Sequence, residues 1–168
     1  MTQKSLQDLF IHELSDIYSA EKQLTRALPK MARAASDPQL AEAFTLHLEE
    51  TRGQVERIDK IVESSQLRLK RIKCAAMEGL VEEGRAVIED GEEGPVRDAA
   101  LIAAAQKAEH YEIASYGTLC TFAKQLGETE ALQLLKETLA EEKATDEKLS
   151  MLALQQTNAD AARAGKAK

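Results

Sequence analysis

Four glutamates, Glu21, Glu50, Glu112 and Glu142, stand in helical patterns at positions where an apolar face asks for leucine. Glu21 is flanked at helical steps by Leu14, Ile17, Leu24 and Leu28, and Glu50 follows Ala43, Leu46 and His47 and precedes Ile58. Glu112 lies between Ala105, Ala108 and the pair Tyr116, Leu119, whereas Glu142 follows Leu135 and Leu139 and precedes Leu149. Residues three, four and seven apart share one helix face, so each glutamate belongs to a stripe that must face a core. Glu50 comes 29 residues after Glu21, and Glu142 comes 30 after Glu112, each pair spanning one turn signal. At a rise of about 1.5 Å per residue, both members of each pair return to nearly the same height. The doublet Glu49-Glu50 with Gln54 recurs 92 residues later as Glu141-Glu142 with Asp146. Two copies of one hairpin would thus bring four carboxylates to one level.

Ionised carboxylates gathered in a core repel one another, and each loses several kcal/mol of solvation. Protonation would relieve part of this. Two divalent cations shared among the carboxylates would satisfy both the charge and the lone pairs, and oxygen donors suit iron, with manganese as the alternative. Structural zinc would call for Cys and His. The plain alternative, a solvated glutamate or one paired with Lys or Arg, accounts for Glu49, Glu56, Glu137 and Glu141 better than for four residues at matching heights. His47, one turn before Glu50, is an outer partner or a ligand. Tyr18, Tyr111 and Tyr116 read as packing residues, with a hydrogen bond from the hydroxyl to a ligand carboxylate as the sharper alternative. His12 and His110 read as ordinary histidines.

The elements that must position these groups are all helices. The chain has 168 residues, 43% hydrophobic and 30% charged, with three Pro, eight Gly and no Trp, so helix formers dominate and one core suffices. The periodicity predicts helices over 5–35, 38–64, 95–126 and 128–154. Pro29 predicts a kink or a new first turn, Asp37 an N-cap before Pro38, and Gly127 a C-terminal stop. Residues 65–94 form a long connection with a short helix over 73–89. Two short joints and one long one make two antiparallel hairpins linked by a crossover, the connectivity of ferritin-like four-helix bundles. The reading is therefore an all-α, ferritin-like bundle over 1–155 with a mobile tail over 156–168.

A net charge of −7 repels phosphate backbones, which disfavours nucleic acid. The most apolar run, 99–105, is too short for a bilayer, and no apolar leader pattern opens the chain, so a cytoplasmic protein is expected. Cys74 and Cys120 lack paired spacing and read as reduced, buried thiols.

The stretch 11–24 (IHELSDIYSAEKQL), the string His47-Leu48-Glu49-Glu50-Thr51 with Gln54, the stretch 108–117 (AEHYEIASYG) and 141–146 (EEKATD) closely resemble the YciF-type bacterial stress proteins, and the match spans about residues 5–155. The resemblance implies a rubrerythrin-like, ferritin-like fold, a homodimer and a place in stress responses. It implies Glu21, Glu50, Glu109, Glu112 and Glu142 as carboxylate ligands, with Gln54 and Asp146 completing the shell. Ferritin-like di-iron helices carry His three residues after a ligand Glu. Here those positions hold Gly53 and Thr145, which makes the site more oxygen-rich. The expected function is a di-metal protein that acts on peroxide or dioxygen or oxidises ferrous iron. The alternative is a structural or partner-binding protein whose acidic core binds metal for stability or not at all.

Overall fold

The structure, a computed structural model, describes residues 4–164. Six α-helices follow one another: α1 (Leu6–Ala34), α2 (Pro38–Ser64), α3 (Ala75–Asp90), α4 (Pro95–Leu126), α5 (Thr129–Leu152) and α6 (Asn158–Ala164), with a π-helical turn at Ala153–Thr157 before the last. No strand occurs among the described residues. The ends follow local chemistry. Ser5 accepts the Asp8 N–H at 3.0 Å and Asp37 accepts the Gln39 N–H at 2.8 Å, each satisfying a backbone donor that its helix leaves orphaned. Gly127, at φ 75°, takes the left-handed conformation that ends α4; its N–H bonds Lys124 O and that of Glu128 bonds Ala123 O, closing a Schellman motif.

Two expectations shift. Pro29 starts no new helix: α1 runs on through it to Ala34. The last long helix ends at Leu152, near the expected 154, but the chain beyond it stays helical, running through the π turn into α6, which packs on α4. Of the tail expected from 156, residues 165–168 lie outside those described.

α1 packs most extensively on α2, and α4 on α5; α2 also meets α5, and α1 meets α4, so the four long helices enclose one core. Phe10, Leu14 and Ile17 of α1, Leu40 and Phe44 of α2, Leu101 and Leu119 of α4 and Leu135 of α5 are fully or almost fully buried within it. Each such side chain contributes roughly 1.5–3 kcal/mol relative to exposure. α3 lies across α1 and α4. No described helix is long and apolar enough to cross a membrane.

The two halves are tied at one end by Asp98, in the first turn of α4. Its carboxylate accepts the N–H of Ser36 at 2.8 Å and of Asp37 at 2.9 Å, both in the α1–α2 joint. Arg97 adds a bond from Nη2 to the Ala34 carbonyl at 2.7 Å. Asp98 is buried, so Asp98→Ala leaves two backbone donors unpaired. The expected loss is about 1.5–3 kcal/mol, read as a lower denaturant midpoint at unchanged slope.

Candidate metal centre

Each long helix contributes to one buried polar layer. α1 supplies Glu21, set in its leucine stripe; α2 supplies His47 and Gln54; α4 supplies Glu109 and Glu112, one turn apart; α5 supplies Glu142, and all six are buried. Small side chains upstream on α4, Ala104, Ala105 and Ala108, are buried beside this layer and leave open space between α1 and α4. His47, Glu109, Glu112 and Glu142 each offer an atom within 4.8 Å of the others'. Glu21 joins them through Glu112, whose carboxyl it meets, and Glu109 and Glu142 meet likewise. The Tyr116 hydroxyl donates a short hydrogen bond to Glu21 Oε1.

This layer lacks donors. Among the described residues, eleven buried side-chain N or O atoms have no hydrogen-bond partner, and nine of them belong to Glu21, His47, Gln54, Glu109, Glu112 and Glu142. Buried polar groups are satisfied in the great majority of cases, so such a concentration asks for a missing partner. Glu109 Oε1 lies 2.9 Å from His47 Nε2, yet neither ring nitrogen makes an aligned hydrogen bond. Two ligands at right angles around an ion, each about 2.1 Å away, stand about 3 Å apart, and their lone pairs point at the ion rather than at each other. The donor set therefore fits a hard or borderline cation; four carboxylates and one imidazole do not single out which metal.

Burial and mutual repulsion hold the carboxyls toward the neutral form: Glu21 is pushed up to about 7, chiefly by desolvation, and Glu112 and Glu142 lie well above the ordinary carboxylate range for the same reason. For His47, burial acts downward most strongly, but the carboxylates of Glu109, Glu50 and Glu21 together outweigh it and carry the imidazole up to about 10. Groups raised in the folded state stabilise it fully below their ordinary values, 4.5 for Glu and 6.5 for His. That contribution is lost as the pH climbs through the folded values, about 7 for Glu21 and about 10 for His47. Melting in chelator should therefore give a lower Tm at pH 9 than at pH 6, and a level or rising Tm would contradict this balance.

Not every residue expected at the site joins this layer. Glu50 is 46% exposed; its Oε2 lies 3.9 Å from His47 Nδ1 and 3.3 Å from Thr145 Oγ1, and the neighbouring His47 imidazole holds its carboxyl below the usual range. His47, expected as an outer partner or a ligand, stands among the four converging donors. Asp146 is partly exposed, 3.1 Å from Gln106 Nε2 and 3.3 Å from His110 Nε2. Gln54 gives its amide to Glu141 Oε2 at 3.1 Å and keeps a buried Oε1 without a partner. The Tyr18 hydroxyl takes a 3.4 Å bond from Lys22 on the flank of α1.

Two supporting groups escaped the sequence reading. Arg57 clasps the Glu141 carboxylate with both guanidinium nitrogens and reaches Thr138 at 3.1 Å, tying α2 to α5. The Tyr111 hydroxyl bonds Asp16 and lies 3.1 Å from Cys74 Sγ, itself the cap of α3. Both cysteines are free and buried. Each cluster joins residues more than thirty positions apart, which no local pattern marks.

A model for the family described as a domain of unknown function, DUF892, matches residues 5–162. Over 159 residues the chain is 66% identical to Protein YciF of Escherichia coli (strain K12), covering 94% of this chain and 96% of that protein. The crystal structure of the E. coli stress protein YciF superposes with a TM-score of 0.90 over 93% of this chain and 99% of that one. YcfI from Rhodopseudomonas palustris, described provisionally as a structural protein, is 40% identical with a TM-score of 0.86, over 92% and 99% of the two chains. A protein from Xanthomonas campestris pv. campestris, at 22% identity, a TM-score of 0.69 and 92% of each chain, shares the fold.

Proposed function

The chain belongs to the DUF892 family, that of the stress protein YciF, and on that footing we propose that it is a ferritin-like four-helix bundle whose core binds two metal ions and acts in a stress response. The observation that carries this reading is the buried donor set of Glu21, His47, Glu109, Glu112 and Glu142, left almost without hydrogen-bond donors. Two divalent ions would balance four ionised carboxylates beside a neutral imidazole, leaving no net charge in the core. Iron is the first candidate and manganese the second. When bound, such ions supply one-electron chemistry and polarise an oxygen species, so peroxide, dioxygen or ferrous iron is the proposed substrate.

The protein's own residues set the conditions. Tyr116 orients Glu21 and holds a proton at the Glu21 Oε1 edge. Arg57 and Gln54 fix Glu141, next to Glu142 on α5, which stiffens the far wall. A gap of about 90 Å³ between α2 and α5, bordered by Leu46, Glu50, Thr145 and Lys148, reaches His47 and has room for a species of two or three atoms. A cytoplasmic homodimer completes the proposal.

Protein from iron- and manganese-supplemented cultures should carry close to two metal ions per chain. Glu109→Ala should lower peroxide consumption or ferrous oxidation by about a hundredfold, at or beyond the upper end of what loss of an outer-shell partner costs. Metal-free wild type, or a variant as active as wild type, would overturn the assignment. A second reading draws on the R. palustris relative's description as structural and on Gly53 and Thr145 at the positions where di-iron bundles place His. In that case metal binds without turnover.

A further inference from the structure

α3 is poorly anchored for an amphipathic helix of 16 residues: Met77 and Gly84 are its only buried residues, and Leu80, Val81, Val87 and Ile88 are half-buried. Beneath it, between α1 and α4, lies a chamber of about 730 Å³. Protein interiors are close-packed, and apolar cavities do not hold water well. The chamber is the size of small-molecule sites, roughly 300–1,000 Å³. Its floor is apolar, with Leu24, Leu28 and Met77, and its inner end is formed by His47 and Glu109, both buried.

The mouth is charged asymmetrically. On the α3 side, Lys73 pairs with Glu78, and Arg85 with Glu82 and Glu89, so both cations are taken up by carboxylates and that rim carries one net negative charge. On the α1 side, Arg26, Lys30 and Arg33 stand exposed on one ridge. Beside them, Arg97 keeps a buried Nε with no hydrogen-bond partner. A ligand that fits has a thin apolar body and an anionic end. A protein partner fits less well, because the large exposed apolar side chains of the described residues, Leu46, Val96, Met151 and Leu154, all lie elsewhere.

We propose that the chamber under α3 binds a straight-chain aliphatic carboxylate, its chain along the apolar floor toward His47 and Glu109 and its head against Arg26, Lys30, Arg33 and Arg97. Binding of this kind needs no metal and goes beyond the function proposed above. Dodecanoate, titrated calorimetrically into metal-stripped full-length protein below its micellar concentration, should bind saturably at one per chain. Lys30→Glu with Arg33→Glu should weaken dodecanoate at least about tenfold, equivalent to 1.4 kcal/mol, and leave the neutral dodecan-1-ol unchanged. Gly84→Phe, which projects a ring into the space where an added Cβ would stand 4.0 Å from Ala104, should abolish binding. Should that variant not fold by circular dichroism, the charge-reversal pair decides alone.

Absence of saturable binding to wild type, equal dodecanoate affinity in the charge-reversed protein, or binding undiminished in a folded Gly84→Phe protein would overturn the proposal. So would dissociation of a dimer by Gly84→Phe together with no dodecanoate binding, which would make the chamber a subunit contact. Manganese titrated in parallel separates the two readings: dodecanoate binding with no manganese uptake supports the chamber and removes the metal centre.

Discussion

Manganese(II), or iron(II) without oxygen, should raise the melting temperature of the wild-type protein, and Glu112→Gln should remove the rise. A ligand that binds only the folded state at a hundred times its Kd stabilises by about 2.7 kcal/mol. A domain of this size gains about 2–4 °C per kcal/mol, so a single occupied site gives about 5–10 °C. Glu112 faces Glu21 and lies within 4.8 Å of His47, Glu109 and Glu142, with both its oxygens free of hydrogen bonds. Its amide analogue keeps shape and polarity but removes the charge that offsets the cation. Differential scanning calorimetry with and without metal measures this, and an equal gain in the variant would mean that the ion sits elsewhere.

Without metal, Glu142→Met should instead stabilise the protein by about 1–3 kcal/mol at pH 8, because a buried charge network replaced by apolar groups of similar volume is often more stable. Glu142 is fully buried, and its carboxyl is raised first by desolvation and then by the neighbouring carboxylates. At pH 8 the unfolded chain ionises this group freely while the folded chain resists, so the benefit of removing it shrinks toward pH 5. Urea denaturation at the two pH values provides the comparison. A variant less stable than wild type at pH 8 in chelator would show that Glu142 is already compensated by a partner other than a cation.

The helices and their joints were legible because they rest on local rules: Asp37 before Pro38 and Gly127 after an apolar run. Glu21, Glu112 and Glu142 were legible because their stripes are unambiguous. Glu50 was misplaced because Leu46 looked like a marker of the inner face, whereas Leu46 is 47% exposed. At roughly 100° per residue, Glu50 stands about 60° round from His47, and the buried line of α2 runs instead through Phe44, His47, Thr51, Gln54 and Ile58. Asp146 errs in the same way, about 60° from the line joining Ala131 and Leu149 on α5. A band one residue too wide is enough to exchange an inner group for a rim group. Asp98, Arg57 and Tyr111 act on partners 37 to 95 residues away, a range that helical periodicity does not encode.

The π turn at Ala153–Thr157 makes the end of the chain sensitive to length rather than to composition. Each i→i+5 closure lodges one residue more than an ordinary turn and so advances everything beyond it by about 100°. Thr157 is thereby buried and α6 lies along α4. Removing a single residue there would wind the helix back to its ordinary pitch and swing α6 onto another bearing, even if every remaining side chain were kept.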